Sequence, residues 1–256
     1  MRYVVIRLLL TCLAWVGVSA TDPATARDGP RVHAGVRSPE GGHRNVYILS
    51  FGLFGEQRVF ERKARGAAGI LAATLGGRGH TIVRFNTRSG GGATPRALFG
   101  AMRATVRGMK SDTDVLVLVL TSHGSPHGLA VVAGRRETLL TPELLGDMLN
   151  ASGARYRVVI ISACFSGTFV PALADPRTLV ITASAADRSS FGCEDRAKWT
   201  YFGDAFFNQA LRRTDKLDVA FEEAKRIVTA REQQEGFPPS NPQIAGGAQV
   251  LDLLDR

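Results

Sequence analysis

The chain of 256 residues is poor in cysteine, lysine and aromatic side chains: three cysteines, five lysines among 32 basic residues, and 7% Phe, Trp and Tyr. Three cysteines cannot staple a chain of this length, so a disulfide-rich scaffold is excluded. No charge run stands out, and no stretch alternates basic with aromatic residues as single-strand nucleic-acid binders do. The formal charge of +9 is spread over scattered arginines, so nucleic acid is not an expected partner. Beyond residue 20 there is no hydrophobic run near the ~20 residues that a membrane span needs, and no internal repeat. What the chain does have is 45% hydrophobic residues and 28 glycines spread among short apolar runs. That composition suits a layered α/β fold, long enough to bury its own core.

Residues 1–20 read as a secretory signal peptide. Arg2 and Arg7 precede an apolar stretch from Leu8 to Val18, which ends in the small residues Ser19 and Ala20. The expected location is the periplasm or outside the cell, with membrane contact only if this segment stays uncleaved. Cleavage removes Cys12 and two arginines, leaving a charge of +7 and the cysteines Cys164 and Cys193. Residues 21–44, rich in Pro, Gly and Arg without a hydrophobic period, read as a disordered linker or pro-segment.

From Asn45 to Arg256 the pattern is that of one domain. Asn45–Phe51, His80–Asn86, Val115–Thr121, Arg157–Ser162 and Thr178–Ala183 read as strands. The unbroken apolar run VLVLVLT at Val115–Thr121 is the signature of a strand buried on both faces. Between the strands, helical spacing appears over Val59–Leu75. Ser89–Ala93 reads as a glycine-rich loop, and Thr94-Pro95 and Thr141-Pro142 open helices to about Met109 and Leu149. Two more helices are expected over Tyr201–Arg212 and Leu217–Glu235, the second closed by Gly236 and Pro238-Pro239. Strands alternating with helices imply a mostly parallel sheet with helices on both faces.

In such sheets the chemistry sits at the carboxyl ends of the strands. Val115–Thr121 runs into Ser122-His123-Gly124, and Arg157–Ser162 runs into Ala163-Cys164-Phe165-Ser166-Gly167. Strands in a sheet lie ~4.8 Å apart, so side chains just past two adjacent strand ends can meet. A histidine and a cysteine there form a general base and a nucleophile. Gly124, without a side chain, can bring its N–H close to a substrate carbonyl and, with the N–H of Cys164, form an oxyanion hole. Gly167 is expected to let the chain turn sharply behind the nucleophile. His127, four residues on, is a second candidate base in a less rigid position.

At these residues the chain resembles the legumain-like cysteine peptidases (asparaginyl endopeptidases), in particular a bacterial secreted branch. They are relatives of caspases and of the glycolipid-anchor transamidase subunit. The features that carry the resemblance are LVLTSHG ending at Gly124, IISACFSG ending at Gly167, and TASAADRSSFGCED with TYFGD between Thr182 and Asp204. It covers about Asn45 to Pro242. It implies a caspase-like sheet, a thiol peptidase with His123 as base and Cys164 as nucleophile, a protein or peptide substrate, and no metal or cofactor. Cleavage after asparagine would use a pocket at the similar positions Arg58, Ser189, Ser190 and Asp204. A carboxamide both donates and accepts, so mixed charge around it makes chemical sense.

The sequence departs from that family in three ways. Phe165 stands where an acid usually follows the nucleophile. The asparagine that orients the histidine has no clear match, with Glu56 or Gln57 nearby instead. The chain ends soon after its last expected helix, so no large C-terminal inhibitory domain is expected, and Thr21–Arg44 is the segment left to supply latency. Three alternatives stay open at this stage: a non-catalytic periplasmic domain with a Cys164–Cys193 disulfide, a metal site from His123, His127, Cys164 and Cys193, and transpeptidation through the same dyad. The oligomeric state is not legible.

Overall fold

The computed structural model of the chain describes residues 44–77 and 79–256. The signal segment, and residues 21–43 of the linker, lie outside the described residues. The strands are β1 (Val46–Gly52), β2 (Thr81–Thr87), β3 (Gly90–Gly91), β4 (Val115–Thr121), β5 (Gly124–Ser125), β6 (Gly128–Ala133), β7 (Arg136–Leu140), β8 (Tyr156–Ser162), β9 (Thr178–Thr182) and β10 (Gln243–Gly246). The helices are α1 (Arg58–Thr74), α2 (Pro95–Val106), α3 (Pro142–Ser152), α4 (Val170–Leu173), α5 (Tyr201–Gly203), α6 (Leu217–Glu235) and α7 (Ala248–Leu254).

A seven-stranded sheet has the order β10-β9-β8-β4-β1-β2-β3. The five central strands are parallel, and β10 and β3 run antiparallel at the edges. The chain starts at β1, moves out to β2, then returns across β1 to β4 and continues to β8 and β9. The order therefore reverses between β1 and β4, the switch point at which open α/β sheets form clefts.

Because strand side chains alternate between faces, the unbroken apolar runs of β4 and β8 feed two cores. Val117, Val119, Val158 and Ile160 pack with α1, with Phe206 and Phe207, and with α6. Leu116, Leu118, Leu120, Val159 and Ile161 face the other way, onto α2, α3 and Phe169. Each such side chain is worth roughly 1.5–3 kcal/mol when fully buried, so helices on both faces follow from the sequence of these strands. Thr94 Oγ1 accepts from the Ala97 N–H and Thr141 Oγ1 from the Leu144 N–H, both at 3.2 Å, with proline in the first turn of each helix.

Beyond the last expected helix the chain adds β10 and α7, and α4 follows the Cys164 loop; other details differ from the sequence reading as well. The loop at Ser89–Ala93 carries the short edge strand β3, held against Asn86 and Thr87. The helix opened by Pro95 stops at Val106, and tighter bonds from Gly108 to Thr105 and from Met109 to Val106 finish it. The helix expected over Tyr201–Arg212 is broken into α5, a π-helical segment Asp204–Gln209 and a 3-10 turn Ala210–Arg212. Within it, Asn208 and Gln209, four and five residues on, both reach back to the Asp204 carboxylate at 2.8 Å. Finally, residues 124–140 form a separate three-stranded sheet, β5-β6-β7, which the sequence reading passed over.

Candidate active site

The register of β4 and β8 positions the two loops. Thr121 pairs with Ser162, so His123 and Cys164 each lie two residues past the last rung. Gly124 shows how close the loops come. A Cβ on it would stand 2.0 Å from the Cys164 carbonyl oxygen and 3.2 Å from the Ala163 Cβ, so only glycine fits. Gly124 pairs with Leu129 while the Ala130 N–H donates to the His123 carbonyl at 3.0 Å. That pattern belongs to a non-hydrogen-bonded pair of an antiparallel ladder, and it leaves the Gly124 N–H outside the ladder.

The small sheet braces the histidine. Ser122 Oγ donates to the Ala130 carbonyl, and the Gly55 N–H, in the loop after β1, donates to Val132 at 2.9 Å. That loop delivers Gln57, whose Oε1 stands 2.5 Å from His123 Nε2. A carboxamide oxygen only accepts, so Nε2 carries the proton and Nδ1 is left as the ring's basic nitrogen. The ring is wedged edge-on against Phe54 and Phe60, with centroids at 4.7 and 5.0 Å. Burial lowers the His123 pKa below the ordinary imidazole value, and the nearby Lys63 cation lowers it further. His127 is exposed at the β5–β6 turn, its N–H bonded to Ser125 Oγ at 3.2 Å.

Cys164 is half-buried beside the loop that follows β9. Its Sγ accepts from the Ser190 N–H at 3.2 Å, lies 3.3 Å from the Ser190 carbonyl oxygen, and is 3.7 Å from Ser190 Oγ. Phe165 adopts the left-handed conformation at φ 55°, a strain of order 1–3 kcal/mol for a non-glycine residue. Its N–H donates to the Arg188 carbonyl at 2.7 Å. The sharp turn is thus made by Phe165, not by Gly167 as the sequence suggested. Gly167 is needed for a close approach instead: a Cβ there would be 2.5 Å from the Ala186 nitrogen. A buried serine pair clasps the same two loops. Ser166 and Ser184 each take the other's backbone N–H at 3.2 Å, and Ser184 Oγ donates to the Ala163 carbonyl at 3.1 Å.

The expected pocket residues are distributed unevenly. Ser190 touches Sγ, and the adjacent Ser189 is exposed. Arg58 is the exposed first residue of α1, next to Gln57, and its N–H donates to Asp195 Oδ1 at 2.7 Å. Asp204 is drawn elsewhere, with both carboxylate oxygens bonded to Asn208 and Gln209. A cavity of about 590 Å³ opens beside His123, lined by Phe54, Glu56, Gln57, Arg88 and Gly134. Another, of about 850 Å³ between α1 and residues 198–215, shares no residue with the loops that carry His123 and Cys164.

Cys164 and Cys193 are both free thiols, so the bridge considered from the sequence is not formed. Burial raises the Cys193 pKa, and the neighbouring Cys164 adds to the shift. Among the described residues no three His, Cys, Asp or Glu side chains are grouped to hold a metal ion. Sequence reasoning missed Lys63, which is fully buried on α1 with its Nζ on Ser162 and Thr200. The signal was there: Lys63 falls on the apolar stripe of Phe60, Ala64, Ala67 and Leu71, where the helical period calls for a hydrophobic residue.

The model of the peptidase C13 family matches residues 97–247, more than half of the chain. No curated protein matches it. Among solved structures, the crystal structure of caspase-1 from Spodoptera frugiperda is similar at a TM-score of 0.55 and 15% identity, covering 79% of this chain and 86% of that one. The structure of pro-sf-caspase-1 is similar at 0.50 and 14% identity, covering 80% of this chain and 92% of that one. At such identities the likeness is one of fold: this is a caspase-like α/β sheet.

Proposed function

The chain belongs to the peptidase C13 family, and we propose that its cysteine endopeptidase chemistry runs through Cys164 and His123. The observation that supports this most directly is the matched register of β4 and β8, with Gly124 pressed against the Cys164 carbonyl. In this reading His123 Nδ1 takes the thiol proton while Gln57 holds Nε2–H. The thiolate attacks the peptide carbonyl carbon, and the N–H groups of Gly124 and Cys164 receive the oxyanion. Collapse expels the amine, which takes the proton from His123, and leaves an acyl-enzyme. Water, deprotonated by His123, then releases the acid and restores the thiol.

The proposed substrate is a peptide cut after asparagine. The exposed Arg58 guanidinium donates to the side-chain carbonyl, and the Ser189–Ser190 segment accepts from its amide. Asp204, already bonded to Asn208 and Gln209, is left out of direct contact. Export is part of the proposal, carried by the pattern of Arg2, Arg7 and Leu8 to Ala20, and an N-terminus at Thr21 on the extracytoplasmic protein is the expected result. Digestion of a mixed peptide pool, with Cys164→Ala beside the parent, tests the chemistry. We expect cuts that the variant loses by at least ~10³-fold, as for removal of a nucleophile. Equal cutting by both would overturn the role of Cys164, and an apolar residue before the cut would overturn the pocket.

A further inference from the structure

Lys63 is 0% exposed. Its Nζ lies 3.2 Å from Ser162 Oγ, 3.4 Å from the Ser162 carbonyl oxygen and 3.3 Å from Thr200 Oγ1. It also stands 5.3 Å from the centre of the Phe60 ring, the ring that packs against His123. All of these partners are neutral. A buried ammonium without an anion is expensive, so the acids around it matter.

Those acids are engaged elsewhere. On α1 itself, Glu61 pairs with Arg65 at the surface, and Arg62 is bound to the carbonyls of Asp195 and Ala197. From the segment opposite, Asp195 caps the first N–H of α1 and Asp204 holds Asn208 and Gln209. Farther along α6, Glu235 is held by Arg231 and Tyr201. Glu194 follows Cys193 and acts on that thiol; among the described residues, the groups whose charge is coupled to Lys63 are two thiols and an imidazole. Cys193 and Cys164 are the groups whose charge favours its ammonium, and its ammonium in turn disfavours protonation of His123.

We propose that Lys63 is a positioning residue for the peptidase reaction: its ammonium, held by Ser162 and Thr200 beside the loop that carries Cys164, is a fixed cation that favours negative charge on that sulfur and opposes positive charge on His123. Ser162, which holds the ammonium, is two residues from Cys164, so the charge is fixed to the element that carries the sulfur. Burial brings Lys63 down to about 7, while the charges of Cys193 and Cys164 favour its ammonium. The hydroxyls of Ser162 and Thr200 can accept from the ammonium or donate to the free amine, and the network therefore holds both states. For catalysis the gain is twofold. A thiolate at Cys164 meets a fixed cation as it forms, and the proton lodged on His123 is given up more readily to the leaving amine.

The proposal rests on Cys164 as the nucleophile, but its test does not require turnover. In the full chain carrying Cys193→Ser, alkylation of Cys164 by iodoacetamide is followed against pH by mass analysis of the peptide that contains it. Lys63→Met is expected to move the midpoint up by a unit or more, which is a tenfold or greater loss of rate below it. It should also lower kcat/KM with KM unchanged. An unmoved midpoint would overturn the proposal. Should Lys63→Met fail to fold, His123→Ala in the same background replaces it. With the imidazole gone, the midpoint must still lie below the ~8.5 of a free thiol, and a midpoint at or above that value would overturn the role of Lys63. A shift in midpoint from a protein that cleaves no peptide would sink the peptidase reading and leave the action of Lys63 standing.

Discussion

The two ends of β8 each carry a buried cation, and they treat it differently. At the amino end, Arg157 is 7% exposed and spends its guanidinium on Thr178 Oγ1 at 2.9 Å, Asn150 Oδ1 at 3.0 Å and the Asp175 carboxylate at 3.0 Å. At the carboxyl end, Lys63 reaches only hydroxyls and a carbonyl. The first arrangement closes its own charge balance and ties β8 to β9 and α3. The second leaves a charge open toward the two thiols. A strand can thus be anchored at one end and electrically biased at the other, and the bias lies where the family's chemistry is expected.

The largest expected effect tests whether the carboxyl end is as tightly built as that contrast requires. Gly167→Ala would put a methyl 2.5 Å from the Ala186 nitrogen, a backbone atom that cannot rotate away. We expect a loss of about 3 kcal/mol in chemical denaturation, at the upper side of overpacking costs, and a matching loss of Cys164 reactivity. A variant as stable and reactive as the parent would mean that the loop after β9 is free to move, and the clasp of Ser166 with Ser184 would lose its purpose.

The next effect breaks the comparison directly. Arg157→Met removes the partner of a carboxylate that is itself 38% exposed, so the full cost of breaking a buried pair is discounted to about 2 kcal/mol. Peptidase activity per folded molecule should be unchanged. Lys63→Met should do the reverse, keeping or raising Tm, because an unpaired buried charge is exchanged for an apolar chain of similar length. If both variants lost stability alike and neither touched reactivity, the two ends would be equivalent and the bias would vanish.

Much of this was legible in the sequence where a local pattern carried it. The apolar runs of β4 and β8 and the Thr-Pro caps are short-range signals, and the elements appear where they point. The β6–β7 hairpin is hard to see because its strands are short and β7 carries charged residues at Arg136 and Glu137. Yet GLAVVA, Gly134-Arg135 and RETLL make two short strands around a tight turn. The π-helical segment was invisible for another reason: its periodicity differs from a helix by one residue in one turn. Within the candidate site, His123, Gly124 and Cys164 stand out by their place after strands. Gln57 was one of two residues named for the histidine, and only the fold separates it from Glu56. Lys63 was hidden because reading a stripe for hydrophobes passes over the one member that is charged.

Gln57 offers the smallest and sharpest test, since it alters a partner of His123 without touching the sulfur. In the parent, burial and the Lys63 cation keep the His123 pKa below its ordinary value. A histidine depressed in the fold opposes protonation, so stability falls as pH drops through the unfolded value of ~6.5. Gln57→Glu sets a carboxylate where the carboxamide oxygen lies 2.5 Å from Nε2. The imidazolium then gains an anion, and the pKa should cross to the upper side of that value. The sign of the linkage reverses with it: the His123 contribution is now present below pH ~6.5 and is lost as pH rises through the new pKa. Proton NMR of the imidazole reads the crossing, and the difference in Tm between pH 5 and pH 8 reads the sign. A more basic His123 also surrenders its proton less easily, so acyl-enzyme formation should slow while thiol alkylation near neutrality holds or rises. Unchanged titration in the Glu variant would mean that Gln57 does not touch the ring in solution, and burial with the Lys63 cation would then set the imidazole on their own.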